Sequence, residues 1–485
     1  MRKGHLLETA AISRIVARVR GLQAGSPHRQ VAEAAVVVAF FTFATKVAAA
    51  GRDIVVAKHF GTADQVDAFL VAWLAPSLAI SIAGNSLNAA FMPLYVEARQ
   101  RGGSGPAQTL LGSTTALAVA CIAPMMVVVA GATPVLLPSL ASRFDPEKLR
   151  LTVRLVWLLL PAMLLSTMTT VWTAALNAHG RFARPAAAAL AIPLLAVLAL
   201  VALGRRWGIY ALAVGTAAGY LAEAVYVAGA LRKEGLAIRP RWGGMSPEMR
   251  RVVAQAGPAA SAMVFTAVNP VIDQLMAARL SSGSVASLMY GNKLVAFGIG
   301  VGYGSVASAV LPHFSRLAAA REWTGLHRTI RTYSKIVLAV AIPVTLCGVV
   351  LSEPIVQLLF QRGAFTRTNT LQVSRIQELY LLQIPFVMTS LLFNKFLVAT
   401  GGNRILLKVS LVSAVLNVAA DYVLMTWIGV AGIALSTSIV YGVTCVLSYG
   451  YFRRRLRELR EVVPVQGAGV VAGAPPVMAE RGPER

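Results

Sequence analysis

Two copies of one pattern divide this chain into similar halves. Asp53 precedes the run Ser86–Pro93, and Asp273, 220 positions later, precedes the run Ser305–Pro312. The spacing from serine to proline is seven in both copies, and the spacing from aspartate to proline is 40 in one and 39 in the other. Both copies lie in apolar stretches long enough for helices that cross a bilayer. A repeated unit of such helices predicts two similar helical bundles with a shared interface.

The composition predicts that these helices lie in a membrane. Of the 485 residues, 56% are hydrophobic and 13% are charged, whereas soluble domains carry roughly 25% charged residues. A helical span needs about 20 mainly apolar residues, and barrel strands would alternate over only about 10. The run lengths therefore favour helices. The twelve predicted spans are approximately 34–57, 68–92, 109–137, 152–176, 185–203, 208–230, 252–278, 286–311, 333–352, 377–399, 405–427 and 430–452.

The predicted fold class is an all-α integral membrane protein of about twelve transmembrane helices. They form two six-helix bundles, at residues 32–230 and 252–452, related by pseudo-twofold symmetry. Because six is even, both repeats keep one orientation, which places the symmetry axis along the membrane normal. A basic cytoplasmic linker, 231–251, joins the bundles. The flanking segments are a basic cytoplasmic arm, 1–31, and a cytoplasmic tail, 453–485, which is basic and then disordered.

The basic residues indicate topology. The net charge is +25, but the cations gather on one side of the predicted membrane, which argues against nucleic-acid binding. By the positive-inside rule this predicts a multi-pass protein of the cytoplasmic (inner) membrane with both termini in the cytoplasm. The first 31 residues contain no apolar stretch typical of a cleavable signal. The clusters are Arg2, Lys3, Arg14, Arg18, Arg20 and Arg29; Arg232, Lys233, Arg239, Arg241, Arg250 and Arg251; Arg316, Arg321, Arg328 and Arg331; and Arg453, Arg454, Arg455, Arg457 and Arg460.

The sequence contains no pattern typical of catalysis. Cys121, Cys347 and Cys445 lack metal-ligand spacing, so we expect small buried apolar residues at these positions. The six histidines form no paired motif, and no phosphate-binding loop or nucleophile elbow is present. We therefore predict a transporter, not an enzyme, without a metal or cofactor.

Ionisable residues within the predicted spans are the main candidates for function. Each costs about 2.5–3.5 kcal/mol at the centre of a bilayer, so it should face a partner or a water-filled cavity. Lys46, Arg52 and Lys293 place cations at the interface of the repeats, which favours an anionic substrate. A purely structural role stays open, because Asp53 could simply neutralise Lys46 or Arg52. The acidic candidates for coupling or gating are Asp53, Asp67 and Asp273, and the other charges within spans are Glu223, Lys395 and Asp421.

Several short motifs occur in the order of one known family. They are the stretch Lys46–Gly61, Asp67-Ala68-Phe69, Phe91-Met92-Pro93, the stretch Leu176–Phe182, Ser282–Val285 with Tyr290–Lys293, and Leu359–Thr366. Over about residues 35–450 the chain thus resembles the MurJ/MviN lipid II flippases of the multidrug/oligosaccharidyl-lipid/polysaccharide exporter superfamily. The resemblance implies a V-shaped bundle that exports an undecaprenyl-pyrophosphate-linked sugar by alternating access. It also implies that cavity cations fall on Lys46, Arg52 and Lys293, and that the acidic residue of the second span falls on Asp67.

The chain also departs from the family pattern. In the second span that family has arginines and a glutamate, whereas this chain has Ala79-Ile80-Ser81 and Gly84-Asn85. The family has fourteen spans, against twelve predicted here.

A flippase for another lipid-linked polysaccharide precursor therefore stays open, as does, at lower rank, a multidrug or cation antiporter. A membrane glycosyltransferase would need a large outer loop or a catalytic cluster of Asp, His or Glu, and the longest predicted outward loop, 353–376, offers only Glu353 and no histidine. A non-transporting scaffold would leave the buried cations without a role. The expected partners are the lipid-linked glycan, membrane lipids and, further, other cell-envelope synthesis proteins.

Overall fold

The computed structural model describes residues 27–461, and within that range the chain is helical without strands. Most of the predicted arm and the last part of the predicted tail, residues 1–26 and 462–485, lie outside the described range. In chain order the helices are α1 Pro27–Phe60, α2 Asp64–Ala79, a π-helical turn Ile80–Gly84, α3 Asn85–Gly102, α4 Ser104–Leu140, α5 Pro146–Ala178, α6 Ala183–Ala188, α7 Ala191–Trp207, α8 Ile209–Lys233, α9 Pro247–Ala277, α10 Ser284–Ala319, α11 Trp323–Val350, α12 Ser352–Phe360, α13 Arg367–Leu381, α14 Ile384–Ala399, α15 Asn403–Ile428 and α16 Val430–Glu461.

Within the described residues, ten helical segments are long and apolar enough to cross a membrane. The all-α membrane fold is therefore confirmed, while the count of twelve stays a prediction. The two remaining predicted spans lie in α1 and α9, which are 34 and 31 residues long. The ten segments are Asp64–Gly102, Ser104–Leu140, Pro146–Ala178, Ala183–Trp207, Ile209–Lys233, Ser284–Gly304, Trp323–Val350, Arg367–Ala399, Asn403–Ile428 and Val430–Glu461.

Local sequence signals set where several helices begin. Asp145 accepts a hydrogen bond from the backbone N–H of Lys148 at 2.7 Å, and Pro146 occupies the first helical position of α5. Ser246 caps α9 in the same way, followed by Pro247. An oxygen-bearing cap followed by proline satisfies one orphan donor and removes another. These caps hold two long helices at defined ends.

Two features differ from the sequence-based expectation. The predicted outward loop 353–376 is largely helical, since it holds most of α12 and the first ten residues of α13. The cysteines were expected to be buried, but Cys121 and Cys347 are exposed on the bundle surface. The surface of a membrane protein faces hydrocarbon, so an apolar thiol gains nothing by turning inward.

Most helices pack with neighbours in their own half of the chain, and α9 and α10 make the main contacts across the halves. Helices α2 to α8 contact one another, as do α10 to α16, whereas α9 packs against both α3 and α15. One apolar core cluster also joins the halves, because Tyr290, Phe360 and Phe365 pack with residues of α1 and α2 such as Val56 and Phe69. The interface between the halves therefore holds both the charged groups of α1 and α10 and this aromatic contact.

Candidate functional site

Asp53 holds two cations between α1 and α10. Its Oδ1 accepts from the Arg52 guanidinium at 2.7 Å, and its Oδ2 lies 2.9 Å from the Lys293 ammonium. The side chain of Asp53 is 6% exposed, against 24% for Arg52 and 39% for Lys293. The carboxylate is therefore more buried than either cation, and Asp53 and Lys293 both line a cavity.

That cavity has a volume of about 410 Å³ and brings three predicted site residues together. Lys46, Asp53 and Lys293 line it, with Phe297 and Phe360 among the apolar groups. Lys46 is exposed and forms no ion pair with any residue the structure describes. Arg52 pairs with Asp53 but is not among the lining residues, so the cavity wall carries two cations, Lys46 and Lys293, and one carboxylate. This excess of positive charge suits an anionic group.

Asp67 is placed elsewhere, at the end of the molecule where α1 meets α2. Its carboxylate is 1% exposed and accepts hydrogen bonds from the backbone N–H groups of Gly283 and Ala286, both at 2.8 Å. These are orphan donors at the N-terminus of α10, where the helix dipole favours an anion. A side chain of the first half thus caps a helix of the second half.

A buried lysine completes this contact. Lys148, whose side chain is 6% exposed, donates to Asp67 at 2.9 Å and also pairs with Asp64. Asp64 in turn accepts from the Ser282 hydroxyl at 2.8 Å. We call Asp64, Asp67, Lys148 and 282–286 the Asp67 contact. Sequence reasoning missed Lys148, although the pair of acids three residues apart at the start of α2 was a signal that a cation was required.

Backbone contacts close the same end. The amide of Ala364 donates to the carbonyl of Lys58 at 2.9 Å. Gly283 has φ +80° and Gly363 has φ +62°, and a Cβ on them would collide with the carbonyls of Thr62 and Lys58 respectively. Only glycine accommodates both the left-handed backbone and this approach. The turn after α1 is therefore sealed against two loops of the second half.

Asp273 belongs to a separate acidic pair. It is buried, accepts from the Asn417 amide at 3.1 Å and from the Thr437 hydroxyl at 3.4 Å, and lies against Asp421. Asp421 is fully buried and also lies next to Ser436. Neither carboxylate has a cationic partner among the described residues. Two adjacent buried carboxylates repel each other when both are ionised. The pair therefore needs a shared proton or a bound cation.

The donor atoms of this pair suit a proton or a small hard cation. The site offers only oxygen ligands, namely the two carboxylates, the Asn417 Oδ1, which accepts no hydrogen bond from a described residue, and the Thr437 hydroxyl. Within the described residues no group of three or more His, Cys, Asp or Glu side chains could hold a metal ion. Sequence analysis identified Asp421 only as a charge within a span, because its partners lie on α9 and α16, which only the fold brings together.

Lys293 connects the two sites. Besides the cavity around Asp53, it lines a second cavity of about 210 Å³ together with Asp273 and Tyr380. One flexible ammonium therefore lies between the buried carboxylate of α1 and the acidic pair of the second half.

Long membrane helices, a charged cavity between the two halves of the chain and a buried acidic pair define a multi-pass membrane transporter. The chain belongs to the MurJ family: the family model described as Lipid II flippase MurJ matches residues 56–472. The predicted family is thereby confirmed, as is the prediction of a multi-pass inner-membrane protein that is not an enzyme.

Curated relatives match over most of their length. A probable lipid II flippase MurJ of Rhizobium tropici is 26% identical over 434 residues, 85% of this chain and 79% of the relative. One of Synechocystis sp. is 26% identical over 452 residues, 90% and 84% of the two chains. The lipid II flippase MurJ of Burkholderia cenocepacia is 24% identical over 434 residues, 86% and 83%.

Solved structures share the fold. A lipid II flippase MurJ in an inward closed conformation has a TM-score of 0.75 at 20% identity, covering 87% of this chain and 90% of that one. An inward-facing multidrug resistance MATE family transporter of the MOP superfamily has a TM-score of 0.74 at 14% identity, covering 87% and 96%. The fold is thus common to transporters with different substrates, and function must be argued from the site.

Proposed function

We propose that this protein is a flippase that exports lipid II, an undecaprenyl-pyrophosphate-linked sugar precursor of peptidoglycan, across the inner membrane by alternating access. Membership of the MurJ family and the names of the curated relatives support the substrate. The observation that carries the proposal is the cavity between α1 and α10 that Lys46 and Lys293 line, where Asp53, the one acidic lining residue, pairs with Lys293 and with the neighbouring Arg52.

The pyrophosphate would compete with Asp53 for these cations. In the present state the Asp53 carboxylate pairs with both Arg52 and Lys293, and Lys46 has no ion-pair partner among residues 27–461. A group with several phosphate oxygens offers Arg52 a bidentate acceptor and Lys293 a point contact. Lys46 and Lys293 already line the cavity, and Arg52 lies beside it on Asp53, so binding would exchange ion-pair partners instead of exposing a bare charge. The polyprenyl chain would remain in the lipid through the gap between the halves.

The Asp67 contact would act as the gate on the outer side. With both termini in the cytoplasm, as the basic residues predict, the end of α1 lies at the outer surface. The described state is then closed outward, through Asp67 on Gly283 and Ala286 and through Lys58 on Ala364. Outward opening requires these bonds to be replaced by bonds to water. That exchange is small in free energy, as a switch between two states requires.

The acidic pair would couple export to an ion. Occupation of Asp273 and Asp421 by a proton or a hard cation changes the charge that faces Lys293 through the cavity they share. When Asp273 and Asp421 are neutralised, the Lys293 ammonium stays paired with Asp53. When they carry negative charge, they attract the ammonium away from Asp53. Ion binding and the cation site for substrate are thereby linked through one side chain.

A second candidate is export of another polyprenyl-linked glycan. It is favoured by the second span, where the expected arginines are replaced and the chain forms the π-helical turn Ile80–Gly84. π-Helical turns often occur at functional sites. The cation site is unchanged in this alternative, and only the recognised sugar differs. Contacts with other cell-envelope synthesis proteins are proposed for either substrate.

Complementation of a strain depleted of its lipid II flippase tests the proposal. The wild-type chain should restore growth, and Arg52→Ala, produced at equal level in the membrane, should not. A well-inserted wild-type chain that fails to restore growth, but restores a strain lacking a flippase for another lipid-linked glycan, would transfer the function to the second candidate.

A further inference from the structure

A polar pocket lies within the first half, apart from the cation cavity and the Asp67 contact. It has a volume of about 370 Å³ and is enclosed by α1, α3, α5, α8 and the segment around α6. Eight of its thirteen lining residues are polar, namely Thr42, Asn88, Ser166, Thr169, Thr170, Thr173, Asn177 and Glu223. We call it the hydroxyl pocket. Its volume falls within the range of about 300–1,000 Å³ of ligand pockets.

Glu223 is the one ionisable residue among those that line the hydroxyl pocket. It is half-buried on α8, and no described residue forms a hydrogen bond or an ion pair with it. An unpaired acid within a membrane span costs several kcal/mol, on the order of 2.5–3.5 at the bilayer centre. Such a residue is expected to face a ligand or water, and here the pocket supplies the space.

The other polar groups suit a ligand rich in hydroxyl and amide groups. Thr169 and Thr170 donate to the carbonyls of Leu165 and Ser166, at 2.7 and 2.9 Å, so their oxygens present lone pairs to the pocket. The amides of Asn88 and Asn177 have no hydrogen-bond partner among the described residues and can both donate and accept. Sugar hydroxyls and acetamido groups match such a lining, because each donates and accepts in turn.

The hydroxyl pocket adjoins the cation site. Thr42 lies four residues before Lys46 on α1, so both side chains project from one helix face about one turn apart. The Tyr220 side chain lies close to both the Glu223 carboxylate and the Arg52 guanidinium. A ligand held by its anionic group at Lys46 and Arg52 could therefore extend its next groups into the hydroxyl pocket.

We propose that the hydroxyl pocket binds the glycan of the lipid-linked substrate, with the Glu223 carboxylate accepting hydrogen bonds from its hydroxyl or amide groups. The proposal rests on the proposed function, since it divides one substrate between two neighbouring sites. The cations hold the pyrophosphate, which all such lipids share, and the pocket recognises the sugar, which distinguishes them. Glu223 is then a residue that determines specificity.

Binding of two lipids to the purified full-length chain tests the division. The probes are undecaprenyl pyrophosphate, which has no sugar, and lipid II, and the variant is Glu223→Gln, which keeps the shape and removes the charge. Native mass spectrometry in detergent gives both affinities. We expect the variant to bind undecaprenyl pyrophosphate like wild type and lipid II about tenfold more weakly, the effect of one charge-assisted hydrogen bond. Glu378→Gln, at a part-buried acid of α13 away from the pocket, should change neither.

Three outcomes would overturn the inference and leave the proposed function standing. Equal affinity of wild type and Glu223→Gln for lipid II would remove Glu223 from recognition. An equal loss for both lipids would make its role structural. Wild type that binds lipid II no better than the bare lipid would show that the pocket takes no sugar, while the proposed function survives. Wild type that binds neither lipid would instead overturn the proposed function and this inference together.

Discussion

The Lys293 ammonium lies 2.9 Å from the Asp53 carboxylate and joins α10 to α1 across the two halves of the molecule. The same lysine lines the cavity that contains Asp273. An ion pair that is only partly buried contributes little to stability. We therefore expect the pair to matter because Lys293 can exchange Asp53 for another anionic partner. Through Lys293, the cations proposed to bind substrate are connected to the Asp53 carboxylate and to the acidic pair Asp273 and Asp421.

Replacement of Lys293 by alanine should lower export of lipid II about tenfold or more, because one charged contact to the pyrophosphate is lost. Lys293→Arg should retain a substantial part, since the charge remains while the stem and geometry change. The measurement is the initial rate of lipid II movement in proteoliposomes. Lys408→Ala, which removes an exposed cation of α15, serves as the control. An undiminished rate in Lys293→Ala would exclude this residue from the site.

Removal of Lys148 should destabilise the protein. Lys148→Met leaves the buried Asp67 carboxylate without its cation, at a cost of about 3 kcal/mol. Addition of Asp67→Asn should recover part of that loss, because the uncompensated charge disappears. Thermal unfolding of both single variants and the double variant in detergent measures the coupling between them. Strictly additive shifts would mean that the two side chains do not interact.

A link across the Asp67 contact should hold the transporter in one state. The hydroxyl of Ser282 donates to Asp64, so cysteines at these two positions should react with a short thiol-specific cross-linker. The background should lack Cys121, Cys347 and Cys445. Cross-linking is expected to stop export, and a cleavable linker should allow its recovery on reduction. Either single-cysteine variant is the control, and continued export by the fully linked protein would contradict a gate at this end.

Neutralisation of Asp273 should abolish a response to cations. The wild-type melting temperature should rise with the concentration of a cation that fits the acidic pair, because ligands that bind only the folded state stabilise it. A series of Na⁺, Li⁺ and pH at constant ionic strength identifies which ion it is. Asp273→Asn should melt at the same or a higher temperature without the ion and should no longer respond to it. An unchanged response in the variant would place the ion elsewhere.

Much of the architecture was predictable because a membrane-spanning helix requires a long apolar run and few charges. Apolar run length identified the helices, and the cost of buried charge singled out Lys46, Asp53 and Lys293, which the structure brings to one cavity. Whether they bind substrate stays a prediction. The same argument could not separate Asp67 and Asp273 from that cavity, because cost alone carries no information about position along the membrane normal.

The partners were not predictable, since they are distant in sequence. Lys148 lies near the start of α5 and resembles an ordinary charge at a helix end, but it is buried against Asp67 of α2. Asn417 and Thr437 are unremarkable polar residues until α15 and α16 pack beside Asp273. Burial of a polar residue has meaning only with its neighbours, and those come from tertiary packing.

The most direct test of the account measures lipid II on the outer face of cells that depend on this chain. In a strain depleted of its own flippase, lipid II that reaches the outer leaflet is cleaved by an added lipid II-degrading enzyme that cannot cross the membrane. The account predicts cleavage with the wild-type chain and with Lys408→Ala, and almost none with Arg52→Ala at equal membrane abundance. Full cleavage with Arg52→Ala would contradict export through the cation-lined cavity.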